Sequence, residues 1–187
     1  MKLKKFNFKI VNSTNNLAIQ IIKKTNNKSG IVIAQSQKKG RGQYGKKWTS
    51  FKGNLFISIF FQINKVQLSV KDLTKVNCLL IKKLLASFYN GKITIKKPND
   101  LLIKKMKISG ILQEIVIKSG EKFIVIGVGV NLIKSPALKD YLTTNLFDLT
   151  GIKITANNAA SKLKRIYEDF IPIFPKFNIK NLDRNLK

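Results

Sequence analysis

The stretch KITIKKPNDLLIKKMKISGILQEIVIKSGEKFIVIGVGV, residues 92–130, decides the fold class of this 187-residue chain. Apolar or alternating runs near 92–96, 101–104, 108–118 and 122–130 predict four strands, with a Ser119-Gly120 turn between the last two. Strands this short and this closely spaced are typical of an antiparallel or mixed sheet.

The rest of the chain predicts further strands and three helices around this sheet. Strands are expected at residues 3–11, as an edge strand, and at 31–34 and 55–61, on either side of a polar, glycine-rich loop at 35–53. The helices are capped by Ser13 or Thr14, by Ser69 and by Thr155; Gly91 is expected to end the second, and the third to reach about Phe170. The prediction is an α+β protein: a mixed, largely antiparallel sheet with helices packed on one side.

Composition excludes several classes of site. The chain has no histidine and a single cysteine, Cys78, so a histidine general base, a histidine metal ligand, an internal disulfide and a multi-cysteine zinc site are excluded. The longest apolar run, residues 55–61, is far shorter than the roughly 20 residues that span a bilayer. We therefore expect a cytoplasmic protein with no membrane partner.

The charge is strongly positive, with 36 Lys+Arg against 9 Asp+Glu and a net charge of +27. Such a charge suggests a nucleic-acid-binding module as one alternative. However, the only arginines are Arg41, Arg165 and Arg184, whereas proteins that bind phosphates and bases favour arginine. No helix-turn-helix or RNA-binding motif accompanies the charge, so we expect no nucleic-acid partner and leave attraction to an acidic partner open.

Three polar segments interrupt the apolar pattern. Gly40 to Trp48, GRGQYGKKW, could hold an anion on backbone amides and present Trp48 to a purine ring, or it could be a flexible hairpin with a core tryptophan. Residues 96–100, KKPND, form at least a turn, and Lys107 enters an apolar strand soon afterwards. Residues 127–131, GVGVN, place two glycines in a strand, which marks close approach of a backbone or ligand.

Together these segments resemble the biotin–protein ligases. The resemblance covers nearly the whole chain and is carried by five motifs: Ser13-Thr14-Asn15, Gly40 to Trp48, Lys96 to Asp100, Lys107 to Glu114, and Gly127 to Asn131. It implies the catalytic fold shared with class II aminoacyl-tRNA synthetases. It also implies an enzyme that activates biotin with ATP as biotinyl-5′-AMP and transfers it to a lysine of a biotin carboxyl carrier protein or of the biotinyl domain of a carboxylase.

The resemblance also assigns residues. Lys107 and Arg41 would be catalytic. Biotin would bind at Ser13, Thr14, Asn15, Gln37, Gly40, Arg41, Lys107 and Gly110, and ATP at Lys46, Trp48, Asn99, Asp100 and Asn131. Mg²⁺ would be held mainly through the ATP phosphates, with no protein metal site. Residues 1–187 would form one catalytic domain, a monomer or homodimer, without the N-terminal DNA-binding domain or the C-terminal β-barrel domain of other members.

Two departures from the family pattern stand out. Gln43 replaces a second arginine of the glycine-rich loop, and Lys97 replaces the tryptophan of Lys-Trp-Pro-Asn-Asp. The first removes a charge that helps to retain the adenylate, and the second removes an aromatic wall. Two alternatives within the fold stay open: a lipoate or octanoate protein ligase, and a degenerate ligase that binds biotin without turnover.

Overall fold

The computed structural model describes residues 2–64, 66, 68–138 and 141–176. The elements are β1 Lys4–Val11, α1 Thr14–Lys24, β2 Ser29–Gln37, β3 Leu55–Gln62, α2 Val70–Ala86, β4 Ile93–Lys96, β5 Asp100–Ile103, β6 Met106–Lys118, β7 Glu121–Val130, α3 Leu146–Thr150 and α4 Ala156–Phe170, with 3₁₀ turns at Gln43–Gly45 and Phe174–Lys176. No helix within these residues is long and apolar enough to cross a membrane.

The strands form one seven-stranded sheet in the order β1-β2-β3-β7-β6-β5-β4. Of the neighbouring pairs described, β1–β2 is parallel and the other five are antiparallel, which confirms the prediction of a mixed, largely antiparallel sheet. The predicted edge position of the first strand is also correct. In the centre, the β6–β7 register pairs Gly110 with Gly129, and this pairing later defines the floor of the site.

Helices pack on both faces of the sheet, so the prediction that they lie on one side is wrong in that detail. Ala18 and Ile22 of α1 pack with Val32 and Phe60 in one cluster. The larger cluster, on the opposite face, joins α2 and α4 to residues such as Ile31 and Ile57. Neighbouring residues of a strand point to opposite faces, so the continuous apolar runs of β2 and β3 require a cover on each.

The predicted caps of the three main helices are confirmed. Ser13, Ser69 and Thr155 each accept a hydrogen bond from the amide three residues later. Gly91, by contrast, does not end α2. The helix ends at Ala86, because the amides of Ser87 and Phe88 turn back onto Leu84 and Leu85 before the glycine is reached.

Candidate active site

A cavity of about 280 Å³ lies where the start of α1, the loop of residues 40–48, the turn before β5 and the middle of β6 and β7 meet. Eleven of the thirteen predicted site residues line it: Ser13, Thr14, Asn15, Gln37, Arg41, Lys46, Trp48, Asn99, Asp100, Lys107 and Gly110. Asn131 lines a second cavity of about 260 Å³, which shares five lining residues with the first: Lys46, Lys47, Trp48, Lys107 and Tyr141. Gly40 is buried at the base of the loop, where its carbonyl accepts the Trp48 amide at 3.0 Å.

At one end of the first cavity lie four polar residues, with a fifth, Ser58, directly behind them. We call this set the head cluster; all of its members are buried except the half-buried Gln37: Ser13, Thr14, Asn15, Gln37 and Ser58. Gln37 Oε1 accepts hydrogen bonds from the Thr14 amide at 2.8 Å and from the Thr14 hydroxyl at 3.1 Å. Ser58 Oγ lies 2.8 Å from Thr14 Oγ1 and 2.6 Å from Asn15 Oδ1. The cluster gathers hydroxyl and amide groups at the first turn of α1, where backbone amides also lack helical partners.

Asn15 is held against the sheet by β6 and β7. Its Nδ2 donates to the Leu112 carbonyl at 3.1 Å and to Glu114 Oε2 at 2.8 Å. The facing residue on β7 is Gly127, where an added Cβ would lie 2.2 Å from Asn15 Oδ1. Glycine at this strand position is therefore explained by the close approach of the Asn15 side chain.

The glycine-rich loop folds back on itself as a short hairpin. The Gly42 amide donates to the Lys46 carbonyl at 2.7 Å, and the tip at Tyr44 and Gly45 has positive φ angles of 53° and 73°. The Tyr44 side chain is 89% exposed at this tip. Arg41 anchors the near side of the hairpin, because its guanidinium contacts Glu114 through both terminal nitrogens, at 2.8 and 3.2 Å.

Trp48 lies flat against the glycine pair of the sheet. An added Cβ would lie 2.2 Å from Trp48 Cε2 at Gly129 and 2.8 Å from Cζ3 at Gly110, so both glycines are needed for the ring to pack there. The indole Nε1 is buried and has no hydrogen-bond partner among the described residues. The ring forms part of the wall between the two cavities.

Lys107 stands at the same boundary. Its ammonium pairs with Asp100 Oδ1 at 2.8 Å, and the side chain is only 14% exposed. The nitrogen also lies 5.4 Å from the centre of the Trp48 ring and 5.1 Å from that of Tyr141, with the Tyr141 hydroxyl at 3.4 Å. A lysine held by one carboxylate and two aromatic faces keeps a fixed position in which it can bind a further anion.

Cys78 lies beneath the 96–100 turn and takes no part in the site. Its Sγ approaches the Pro98 carbonyl at 3.8 Å. Burial, together with the nearby Asp100 carboxylate, raises the pKa of the thiol to about 12. The thiol is therefore uncharged and poorly nucleophilic at neutral pH.

Asn99 and Asn131 use their side chains to hold the walls of the cavities. Asn99 Nδ2 donates to the Ile111 carbonyl at 2.6 Å, which ties the turn to β6. Asn131 Nδ2 donates to the Thr144 carbonyl at 3.0 Å, which fixes the segment that carries Tyr141. Their predicted contacts with ATP remain predictions.

The charge around the first cavity favours anions. Among the described residues that line it, six are basic and one, Asp100, is acidic. In residues 2–64, 66, 68–138 and 141–176, no three His, Cys, Asp or Glu side chains come together as a metal site would require. The geometry can therefore hold two anionic groups on either side of Lys107, with an uncharged polar group in the head cluster.

Comparison with known proteins identifies the family. Residues 7–131 match the model of the biotin/lipoate A/B protein ligase family. The chain belongs to this family. It is 31% identical over 170 residues to the bifunctional ligase/repressor BirA of Escherichia coli, and 29% identical over 143 residues to the biotin–[acetyl-CoA-carboxylase] ligase of Mycobacterium tuberculosis. These matches cover 88% and 74% of this chain and 52% of each relative, so this family member spans about half the length of the curated relatives it matches.

The fold is also that of solved ligases of this family. The biotin protein ligase of Aquifex aeolicus, determined in complex with biotin and ATP, superposes with a TM-score of 0.82 at 22% identity, over 98% of this chain and 77% of that protein. At this identity the superposition supports the shared architecture alone. The predicted fold class is confirmed.

Three residues of the site were not among those predicted from the sequence. Ser58 is the one polar residue in the apolar run of β3 from Leu55 to Phe61, and that exception is a signal in the sequence. Glu114 is one of only nine acids in the chain and belongs to a quoted motif, yet its pairing with Arg41 spans 73 positions. Tyr141 has no local signal, because its contact with Lys107 depends on the path of the segment after β7.

Proposed function

We propose that the chain is the catalytic part of an ATP-dependent ligase that activates biotin as biotinyl-5′-AMP and transfers it to a lysine of a biotin carboxyl carrier protein or carboxylase biotinyl domain. One observation carries the proposal: Lys107 lines both cavities, so a single ammonium can contact an anion from each side. Activation of a carboxylate by ATP is a reaction that needs this arrangement, because it brings two anions into contact.

The head cluster suits the ureido ring of biotin. A cyclic urea has one carbonyl acceptor and two N–H donors, and the cluster offers hydroxyl donors together with amide and hydroxyl acceptors. The cluster's Thr14 and Gln37 are already linked by two hydrogen bonds, so their groups are placed before the ligand arrives. The valeryl chain would run past Gly110 and Ile111 towards Lys107, where its carboxylate would lie.

The first half-reaction joins a biotin carboxylate oxygen to the α-phosphorus of ATP and releases pyrophosphate. The Lys107 ammonium, less than one-sixth exposed, would offset the repulsion between the carboxylate and the phosphate as they approach. Arg41 and the amides of the loop would cover the adenylate and keep out water that would hydrolyse it. In the second half-reaction, the acceptor lysine amine attacks the acyl carbon, the bond to the phosphate oxygen breaks, and AMP leaves.

ATP would lie in the second cavity, against Trp48, with its phosphates near Lys46 and Lys107. A Mg²⁺ ion fits this site only with help from the nucleotide. Asp100, the acidic residue of the lining, is paired with Lys107, and the described residues offer no cluster of carboxylates. Mg²⁺ keeps several waters and uses phosphate oxygens readily, so it would be bound chiefly through ATP and neutralise phosphate charge there.

A lipoate or octanoate ligase is the second candidate, since the name of the family includes lipoate ligases beside biotin ligases. The head cluster argues against it. A dithiolane or an alkyl end can form no hydrogen bond with the hydroxyl and amide groups of Ser13, Thr14 and Gln37, so it would lie against a polar surface that it cannot use. Sites built to hydrogen-bond a substrate reject analogues that cannot do so.

Calorimetric titration of the protein with biotin and with lipoate tests the choice. Biotin is expected to bind and lipoate to bind far more weakly, and Thr14→Val, which removes a hydroxyl at nearly constant volume, should weaken biotin about tenfold. Thr94→Val on the exposed face of β4 is the control and should leave the affinity unchanged. Equal affinity for biotin and lipoate would contradict the assignment of the head cluster.

A further inference from the structure

Glu114 makes contacts that separate it from an ordinary surface acid. Its Oε2 accepts from Asn15 Nδ2 at 2.8 Å and from Arg41 Nη1 at 3.2 Å, while its Oε1 accepts from Arg41 Nη2 at 2.8 Å. The carboxylate thus bridges the head cluster and the glycine-rich loop. It does not itself belong to the lining of the first cavity.

Arg41 is tied down at a second point as well. Its Nη1 lies 2.5 Å from Asn16 Oδ1, in the first turn of α1. A partly exposed ion pair adds little to stability, so stability alone is a weak reason to place one of the chain's nine acids here. A bidentate pair with a third donor gives fixed geometry instead, which matters where side chains must meet a ligand.

The hydrogen bonds of Glu114 continue into a connected series. From Glu114 it passes through Asn15 to Ser58, and then through Thr14 to Gln37. Gln37 Nε2 contacts Ser50 Oγ at 3.3 Å, just beyond the loop. Both ends of the loop segment are therefore connected to the groups that would face the ureido ring.

The carboxylate also fixes the orientation of the Asn15 amide. Because Nδ2 donates to Glu114 and to the Leu112 carbonyl, Oδ1 must face Ser58 and the side of Gly127. An uncharged glutamine at position 114 could not accept from both Arg41 nitrogens and from Asn15 with the same strength. Its loss of charge would loosen the arginine and the asparagine together.

We propose that Glu114 is a positioning residue that couples the head cluster to Arg41, so that one carboxylate sets both the affinity for biotin and the retention of the adenylate. This inference rests on the proposed function. Glu114 touches neither ligand and acts through Asn15 on one side and Arg41 on the other. A change at Glu114 should therefore alter both the affinity for biotin and the rate of adenylate release.

The test combines Glu114→Gln, Arg41→Gln and the double variant, with biotin affinity from calorimetry and adenylate release from the dilution of preformed complex. Glu114→Gln should weaken biotin about tenfold and speed adenylate release about tenfold. Arg41→Gln should speed release to a similar extent but weaken biotin less than Glu114→Gln does, because Asn15 keeps its carboxylate partner. The double variant should release the adenylate no faster than Arg41→Gln alone, because the two residues act as a unit on that step.

The matched control is Glu121→Gln. Glu121 lies on the adjoining strand β7, and the substitution removes its carboxylate, which is paired with Lys28. It should leave both measurements at the parent values. Glu114→Asp keeps the charge, so its biotin affinity and its rate of adenylate release should lie between those of the parent and of Glu114→Gln. It also replaces Glu114→Gln in the comparison if that variant does not fold.

The outcomes separate the two proposals. A parent protein that binds biotin, with Glu114→Gln behaving like Glu121→Gln, overturns the positioning role and leaves the proposed function intact. Additive effects of Glu114→Gln and Arg41→Gln on adenylate release also overturn it. A parent protein that binds neither biotin nor its adenylate overturns the proposed function and this inference with it.

Discussion

The two glycines of β7 that face the site, Gly127 and Gly129, should respond very differently to the same substitution. Gly127→Ala places a Cβ 2.2 Å from Asn15 Oδ1 and 2.9 Å from its Cγ, so the buried Asn15 side chain must leave its position. It then loses its hydrogen bonds to Ser58, the Leu112 carbonyl and Glu114. Two neutral bonds at about 1 kcal/mol each and one to a carboxylate at about 2 kcal/mol give a loss of about 4 kcal/mol.

The backbone change partly offsets this loss. Neither glycine has a positive φ, so alanine is compatible with both positions and stabilises by about 0.4–1 kcal/mol through the unfolded chain. The expected net destabilisation for Gly127→Ala is about 3 kcal/mol, which lowers the Tm by roughly 6–12 °C for a chain of this size. At Gly129 the obstacle is Trp48, a loop residue that can swing outwards, so Gly129→Ala should change stability by less than about 1 kcal/mol.

Thermal unfolding followed by circular dichroism measures both variants. Trp48 is the only tryptophan of the chain, so its emission reports separately on the ring. Gly129→Ala should shift the emission to longer wavelength at a nearly unchanged Tm. Gly127→Ala should lower the Tm and leave the emission wavelength nearly unchanged. Equal Tm values for the two variants would refute the claim that Asn15 is locked into the sheet by three hydrogen bonds.

Four further predictions concern the site and the partner. Lys107→Ala should abolish adenylate formation without unfolding the protein, because the half-reaction loses the cation between its two anions; formation at the parent rate would show that Lys107 has no catalytic role. Trypsin should cut the loop at Lys46 or Lys47 more slowly once biotin and ATP saturate the protein, and an equal rate would exclude ordering of the loop. With a pKa of about 12, the Cys78 thiol should be charged in only about one molecule in ten thousand at pH 8, so it should react with a disulfide reagent only after unfolding; rapid labelling of the folded protein would contradict its burial. If the net charge of +27 steers an acidic acceptor, transfer should fall with added salt more steeply than adenylation does, and a parallel fall would leave the charge without a docking role.

Much of the fold could be predicted because each element follows from local pattern. The strands of residues 92–130 and the caps Ser13, Ser69 and Thr155 lie within one or two residues of their predicted places. The placement of helices on both faces could not be predicted in the same way. An almost entirely apolar strand such as β3 shows that both of its faces are buried, but it does not show which helix covers which face.

The site was predictable where residue type and order carry the chemistry, as in the Lys107 and Gly40–Trp48 motifs. It was not predictable where contacts depend on the register of distant strands. The pairing of Arg41 with Glu114 follows from the position of the loop over β6, and the contact between Lys107 and Tyr141 depends on the return of the chain after Asn131. The short helix α3 was also missed, although Asn145 and Gly151 flank it as cap residues do.

The exchange of labelled pyrophosphate into ATP tests the central claim most directly, because it reports the first half-reaction without any acceptor protein. We expect exchange that requires biotin, is not supported by lipoate, and disappears in Lys107→Ala while biotin-independent background stays the same. Exchange that proceeds equally without biotin, or that survives the loss of Lys107, would contradict the assignment of this site to the adenylation of biotin.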